Sequence, residues 1–292
     1  MSVEIRDWTA ADFAGYARLR TWYDPLLTRE TLDRMFKGDL GHLFLKRVAV
    51  DGARLVGQAT VLLSVVSGHP MLSLVIEREY RGRGLGRDLL GQAIDSVEGR
   101  RIATWCYDDD ERDLRFAERN GFDIINHGIS STLMAADVDM TPVVSEFPIT
   151  VFTDTELDDD LAARVSDLMI RSATNPETTQ LGWSVDVAKL RKFMHNCLWV
   201  VAFDGDKPIA MSNVEPFDSK PWLVGYTCVD EDYRGRGLSH DLKQTLHLAG
   251  LDRGAPGFET ENEATNHAIR ALNASLGYKV SGGTYRLVRP GT

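Results

Sequence analysis

Tyr80-Arg81-Gly82-Arg83-Gly84-Leu85 recurs letter for letter as Tyr233-Arg234-Gly235-Arg236-Gly237-Leu238, 153 residues later. Each copy follows an apolar run and opens a helical pattern. Glycines at a strand-to-helix turn free several N–H groups to point into one concavity. The helix start adds unsatisfied donors and a partial positive charge. Together these make a pyrophosphate cradle, to which the arginines would add charge. The identity continues past the loop, Asp88-Leu89 matching Asp241-Leu242, and Asn120-Gly121-Phe122 is answered by Leu276-Gly277-Tyr278. Two landmarks in the same order at nearly the same offset indicate domain duplication, because the period is far above solenoid repeat lengths. Other phosphate loops fit worse. A dinucleotide fingerprint needs Gly-x-Gly-x-x-Gly after the first strand of a domain, and no Gly-Lys-Ser/Thr occurs for a P-loop.

The second half carries the more polar constellation beside its loop. Tyr226 and Thr227 lie on the strand before the loop; Glu259, Thr260, Glu261 and Asn262 crowd the end of the next strand; Asn266 reads as a helix N-cap. The first half offers Trp105, Cys106 and Tyr107 at the corresponding strand end. The seven histidines show no HExxH or clustered spacing, so no metal site is expected. Asp108–Glu111 and Asp158–Asp160 read as solvated turns and helix starts.

The elements that position these residues read alike in both halves. The first begins with a strand at Val3–Arg6 and a helix from Thr9 to about Arg20, with Thr9 as N-cap. Strands follow at about Phe44–Asp51, Arg54–Val65 and Met71–Glu77, then the loop and a helix to about Glu98. Arg101–Cys106 is a strand, Glu111–Arg119 a helix, and Ile124–Met134 the closing strands. The second half repeats this as strands near Leu198–Phe203, Pro208–Glu215 and Trp222–Val229. A helix to about Leu251, a strand at Gly257–Asn262 and a helix at Asn266–Leu276 complete it. Ala135–Pro148 is the expected linker, between domains at 1–140 and 148–292. The expected fold class is α/β: in each domain a mixed, mostly antiparallel sheet flanked by helices.

At the loop the chain resembles the GNAT superfamily of acyl-CoA-dependent N-acyltransferases, in a tandem arrangement. Arg81–Gly86 carries the whole of that family's Arg/Gln-x-x-Gly-x-Gly/Ala pattern, and Arg234–Ser239 all but the last position, where Ser239 stands. The resemblance implies acetyl-CoA as co-substrate, with its pyrophosphate on Arg81, Gly82, Arg83, Gly84, Leu85 and Gly86. In the second half the matching positions are Arg234, Gly235, Arg236, Gly237, Leu238 and Ser239. It also implies a gap between the fourth and fifth strands, where the pantetheine amides pair with the edge of strand four like an added strand. Counting back from the loops, the backbones of Leu74, Ile76, Thr227 and Val229 would supply that edge. A strand-four N–H near Leu74 or Thr227 would stabilise the oxyanion. Many relatives place a tyrosine general acid where Ala117 and Asn273 stand; Asn273 could still hydrogen-bond the sulfur. The usual acidic base position holds Pro70 and Leu223. Tyr226, Thr227, Glu259 and Asn273 are therefore the catalytic candidates, with the second half expected to turn over and the first to hold cofactor.

Composition bounds the partners. The chain has 292 residues, 43% hydrophobic and 26% charged, and a formal net charge of −10. Such a charge repels nucleic acid and anionic lipid, so a small metabolite fits better than RNA or chromatin as the acceptor; that it offers a primary amine, reached by direct transfer in a ternary complex, is what the resemblance implies. No run approaches a transmembrane span and Met1–Asp7 shows no signal pattern. Cys106, Cys197 and Cys228 form an odd set without CxxC spacing, which suits a reducing cytoplasm rather than disulfides or zinc. The alternative from another class is a non-catalytic acyl-CoA-binding or regulatory protein.

Overall fold

The computed structural model describes residues 3–24, 29, 32–33, 42–63, 68–172, 196–217 and 220–291. The chain forms two compact units. Unit 1 comprises Met1–Cys106, Asp110–Ile125 and Tyr285–Thr292, and unit 2 comprises Tyr107–Asp109 and Asn126–Thr284.

In unit 1, β1 (Glu4–Asp7), β2 (Leu43–Asp51), β3 (Arg54–Leu63) and β4 (Pro70–Ile76) pair antiparallel in that order, and β5 (Ile102–Tyr107) joins β4 in parallel. Residues 64–65 of the expected third strand lie outside the described residues. Helices α1 (Phe13–Tyr23), α2 (Leu85–Ser96) and α3 (Glu111–Arg119) complete the unit. The sheet is covered on both faces, which strand alternation makes possible. Leu72 and Ile76 of β4 pack with Leu85, Leu89 and Ala93 of α2. Val75 between them packs with Tyr16 and Leu19 of α1.

Unit 2 repeats the plan. The larger part of β6 (Asp123–Met134) falls in it, followed by β7 (Ile149–Thr153), α4 (Asp159–Ser172), β8 (Leu198–Asp204), β9 (Lys207–Glu215) and β10 (Trp222–Val229). Then come α5 (Leu238–Leu251), β11 (Gly257–Glu263), α6 (His267–Ser275) and β12 (Lys279–Arg289), whose residues from Tyr285 belong to unit 1. β7, β8, β9 and β10 pair antiparallel, β11 joins β10 in parallel, and β6 pairs antiparallel with β11. Val200 and Ala202 of β8 face Leu238, Leu242 and Leu246 of α5, while Trp199 and Val201 face Leu161, Val165 and Leu168 of α4. Ile124–Met134, read from sequence as closing strands, is one strand from Asp123. The segment after it makes a single 3-10 turn at Ala135–Asp137 before β7.

Local chemistry is duplicated with the fold. Asp51↔Arg54 and Asp204↔Lys207 close two-residue hairpins. In them Gly52 (φ 60°) and Gly205 (φ 57°) take the left-handed conformation that such turns demand. Thr9 N–H donates to Asp12 (2.6 Å), and Thr153 N–H donates to Glu156 (2.7 Å). One device thus opens the helical segment of each unit. Asp110 and Asp158 accept from Asp113 N–H (3.0 Å) and Leu161 N–H (2.8 Å). Both acidic runs do start helices.

One close approach carries a stability prediction. A Cβ on Gly257 would lie 2.6 Å from the Leu133 carbonyl oxygen and 3.1 Å from Met134 Cα, both backbone of β6. Neither can rotate away. Gly257→Ala is expected to destabilise the protein by about 1–3 kcal/mol, as overpacking does, read as a lower urea midpoint at unchanged m-value.

Candidate active site

β4 and β5 pair only at Met71↔Ala103 and then part. Glu77 N–H donates to Val56 O (2.8 Å), which fixes the alternation along β4. Residues 75 and 77 bond β3, and Leu72, Leu74 and Ile76 turn their N–H and C=O groups to the opposite, open edge. Two of those carbonyls are engaged. Thr104 Oγ1 donates to Leu72 O (3.0 Å), and Arg81 Nε donates to Ile76 O (3.0 Å). Leu74 lies between them on the wall of a cleft of about 780 Å³.

The glycine loop forms the end of this cleft. Gly82 (φ 78°) and Gly84 (φ 89°) have counterparts in Gly235 (φ 78°) and Gly237 (φ 80°), so the two loops share one backbone path. Gly84 O accepts from the N–H groups of Arg87 and Asp88, and Gly237 O from those of His240 and Asp241. The preceding N–H groups, on Leu85 and Gly86 and on Leu238 and Ser239, have no intrahelical acceptor and face the helix start, as an anion requires. Gly86 packs under Phe116, whose Cζ would be 3.4 Å from an added Cβ. At the equivalent pair unit 2 has Ser239 and Leu272, so the larger loop residue accompanies a smaller helix residue.

The arginines behave differently from expectation. Arg81 lines the cleft, and besides bonding Ile76 O it lies 3.3 Å from Asp113 and over the Trp22 ring, so its guanidinium also braces the strand end. Arg234 repeats this with Val229 O (3.4 Å). Arg83 stacks on Tyr80 and Arg236 pairs with Glu146 (3.2 Å); neither lines the cleft of its unit. Leu85 packs in the core. Further positive charge on the unit 1 cleft comes from residues that sequence reading passed over: Arg87 from α2, and Arg112, Arg119 and the Glu111-paired Arg115 from α3. Their 3- and 4-residue spacing on one helix face was the available signal. The corresponding positions of unit 2 are His240, Ala268, Ala271 and Ser275.

In unit 2, β10 pairs with β11 at Trp222↔Phe258 and Leu223↔Glu259 and then diverges, opening a cleft of about 720 Å³. Asp230 N–H donates to Ile209 O (2.8 Å). By the same alternation Thr227 and Val229 stand on the open edge. Here β10 also carries a bulge, absent from β4: Gly225 and Tyr226 stand opposite Asn213 alone. Tyr226 N–H donates to Asn213 Oδ1 (2.8 Å). The strand-four N–H at Tyr226 is thus engaged inward. Burial raises the Tyr226 hydroxyl above its ordinary range, helped by the neighbouring Cys228; like any tyrosine it is an O–H at neutral pH. Burial likewise pushes the Cys228 thiol up to about 12. Thr227 Oγ1 lies 2.9 Å from Ser212 Oγ.

Tyr226, Thr227, Val229, the loop residues Arg234, Gly235, Gly237, Leu238 and Ser239, and Thr260 and Asn262 are brought together on this cleft. Glu259 and Asn273 are not among its lining residues. Asn273 is 3% exposed and engaged at both ends: its Oδ1 accepts from Lys243 Nζ (2.6 Å) and its Nδ2 donates to Asn262 Oδ1 (2.6 Å). It does not reach a ligand directly. Lys243 is 1% exposed, and burial lowers its pKa to about 7. Next to it, His247 Nε2 lies 2.8 Å from the Tyr278 hydroxyl, and burial holds that histidine neutral, at about 3. Among the described residues no group of three or more His, Cys, Asp or Glu is placed to hold a metal, and no helix is long and apolar enough to cross a membrane.

The model of the acetyltransferase (GNAT) family matches residues 3–122 and 163–278. No curated protein matches the chain in sequence. Among solved structures, a GCN5-related N-acetyltransferase from Sphaerobacter thermophilus is similar over 99% of this chain and 97% of its own, with a TM-score of 0.74 and 18% identity. A tandem GNAT protein from the clavulanic acid biosynthesis pathway, solved without AcCoA, is similar over 98% of each chain (TM-score 0.76, 18% identity). A glucosamine N-acetyltransferase region of a fungal multi-domain β-N-acetylglucosaminidase is similar over 98% of this chain and 38% of its own (TM-score 0.71, 15% identity).

Proposed function

The chain belongs to the GNAT acetyltransferase family, and from that premise we propose that it transfers the acetyl group of acetyl-CoA directly to a primary amine of a small molecule, within a ternary complex. The observation that carries this reading is a strand whose edge turns to a cleft instead of a neighbouring strand and runs into a glycine-lined helix start, present in both units. That edge suits the amides of an extended pantetheine, and the loop its pyrophosphate.

In the proposed step the amine nitrogen attacks the thioester carbonyl, forming the C–N bond as the C–S bond breaks. The amine proton is lost and the departing thiolate gains one. Holding amine and thioester together supplies much of the rate, since orientation alone reaches effective molarities of about 10⁵ M or more. Unit 2 is the proposed catalytic half. Tyr226, protonated at neutral pH, is the proposed proton donor, and Thr227 and Val229 offer the strand edge. Unit 1, with the arginines of α2 and α3 on its cleft, is the proposed cofactor-holding half. The acidic chain suits a cationic acceptor.

The test is thiol release from acetyl-CoA across a panel of small amines. Tyr226→Phe is expected to lower kcat by about 10²-fold, within the range of a lost general acid, with little change in acetyl-CoA affinity. An unchanged kcat removes Tyr226 from the chemistry. A second reading, a non-catalytic acyl-CoA-binding protein, draws on Ala117 in unit 1 and the fully engaged Asn273 in unit 2. Tight acetyl-CoA binding with no thiol release from any amine would favour it.

A further inference from the structure

A lysine that is 1% exposed needs an explanation, because an apolar residue of similar volume serves a core at least as well. Lys243 points from α5 to Asn273 of α6, and Asn273 points to Asn262 at the end of β11, on the unit 2 cleft. The duplicated fold supplies its own control. At the position of Lys243 unit 1 has Leu90, and at that of Asn273 it has Ala117, both buried. The architecture packs without the polar chain, so the chain is a property of this cleft and not of the fold.

Hydrogen-bond polarity runs one way along it. In its charged form, which burial confines to below about pH 7, this lysine has three donors and no acceptor. It therefore compels Asn273 to turn its carbonyl oxygen toward Nζ, at 2.6 Å, and its amide nitrogen toward Asn262. Asn262 must then accept with Oδ1, at 2.6 Å. Flipping either amide would set donor against donor or acceptor against acceptor in a buried site, losing bonds that burial makes hard to replace. Among the described residues one group is left over: the Asn262 side-chain NH₂.

We propose that Lys243, acting through Asn273, locks Asn262 so that its NH₂ group is presented to the unit 2 cleft as a fixed donor for a carbonyl or thioester atom of the bound ligand. Lys243 and Asn273 are positioning residues; Asn262 is the contact. The site thereby selects a hydrogen-bond acceptor at that point and rejects a donor, since the locked amide cannot flip to meet one. The identity of the ligand atom rests on the acyl-CoA reading of the cleft, whereas the lock itself does not.

The experiment has two arms. In the ligand-free protein at pH 6, where Lys243 is charged, hydrogen exchange of side-chain amides followed by NMR is expected to show slow exchange for Asn273 and fast exchange for Asn262. Lys243→Met should release the protection of Asn273, and Lys243→Gln, which keeps a donor, should restore part of it. Slow exchange at Asn262 with fast exchange at Asn273 would overturn the lock, whatever the ligand is. In the second arm, Gly84→Asp protein, which leaves the unit 2 cleft as the one to be read, is titrated with acetyl-CoA and assayed kinetically. Asn262→Asp, an isostere presenting only acceptors, is expected to weaken acetyl-CoA about tenfold or more, and Lys243→Met by less, with Lys243→Gln recovering affinity. If acetyl-CoA affinity holds but KM for the amine rises by a similar factor, the accepted atom belongs to the amine substrate and the lock stands. Unchanged values for both ligands in Asn262→Asp would overturn the contact. Failure of every protein, wild type included, to bind acetyl-CoA would remove the acyl-CoA reading, and the exchange arm would still decide the lock.

Discussion

Gly84→Asp is expected to remove acetyl-CoA binding from unit 1, a loss of about a hundredfold or more, while unit 2 is unaffected. Two effects add. Gly84 has φ 89°, where a side chain strains the backbone, by about 1–2 kcal/mol. The new carboxylate also meets the N–H groups at the α2 start, where the macrodipole favours an anion, and so competes with the pyrophosphate for the same donors. It would stand beside Asp88, whose Oδ2 is 4.0 Å from the added Cβ, which turns the local field further against a phosphate. Gly237→Asp should do the same in unit 2, from φ 80°. Calorimetric stoichiometry separates the two: each single variant loses one class of site and the double variant loses both. Turnover then assigns the chemistry. If Gly237→Asp abolishes it and Gly84→Asp only weakens it, unit 2 is catalytic; the reverse pattern inverts that assignment. Unchanged affinity and stoichiometry in both singles would mean that the loops hold no pyrophosphate.

What was legible in the sequence was whatever short-range chemistry dictates. The two loops, the caps at Thr9 and Asn266, the helix start at Asp108–Glu111 and the alternating strands are local devices, read from a few consecutive residues. The choice of Thr227 and Val229 came with the family resemblance, counted back from the loop, and the strand register then puts both on the open edge. What escaped reading depends on partners far away in the chain. That Arg81, on the cleft wall, is also tied to Ile76 O and Asp113 shows only in the fold. Asn273 looks like a candidate for the sulfur until Lys243, 30 residues earlier, is seen to fix its direction. The bulge at Gly225–Tyr226 has only one local hint, the glycine, because it needs Asn213 across the ladder to accept the displaced N–H. Nor does any local signal assign Tyr285–Thr292 to unit 1. The asymmetry of the two clefts was half visible. The residues differ in print, but that the arginines gather on one cleft and the buried polar chain behind the other emerges only when helices α2, α3, α5 and α6 are in place.

Lys243→Met is expected to stabilise the protein at and below neutral pH, and the gain should shrink as pH rises. Burial lowers the folded-state pKa of Lys243 to about 7 from 10.5, with no carboxylate among its described hydrogen-bond or ion-pair partners to offset the charge. The sign follows from linkage. Between these two values the unfolded chain binds a proton that the folded protein does not, so stability rises with pH across that interval. Below about 7 the lysine is charged in both states, and the full penalty applies, on the order of 5 kcal/mol by the ratio of the two constants. Methionine fills a similar volume and carries no such penalty, although leaving the buried Asn273 Oδ1 without its donor offsets about 1–3 kcal/mol of the gain. Buried Tyr226 and Cys228 act oppositely, retaining protons that the unfolded chain releases at alkaline pH, so wild type alone does not isolate the lysine. The difference between wild type and Lys243→Met does, because those groups are common to both. Urea unfolding at pH 6.5 and 9.5 should show the variant several kcal/mol more stable at the lower pH and much closer to wild type at the higher. A difference that is constant with pH would mean that Lys243 keeps its proton when folded. The same substitution is expected to weaken the cleft by freeing Asn262, so one variant should be more stable and bind less well. A lysine kept merely for packing would not couple those two effects; a lysine kept to aim an amide at a ligand does.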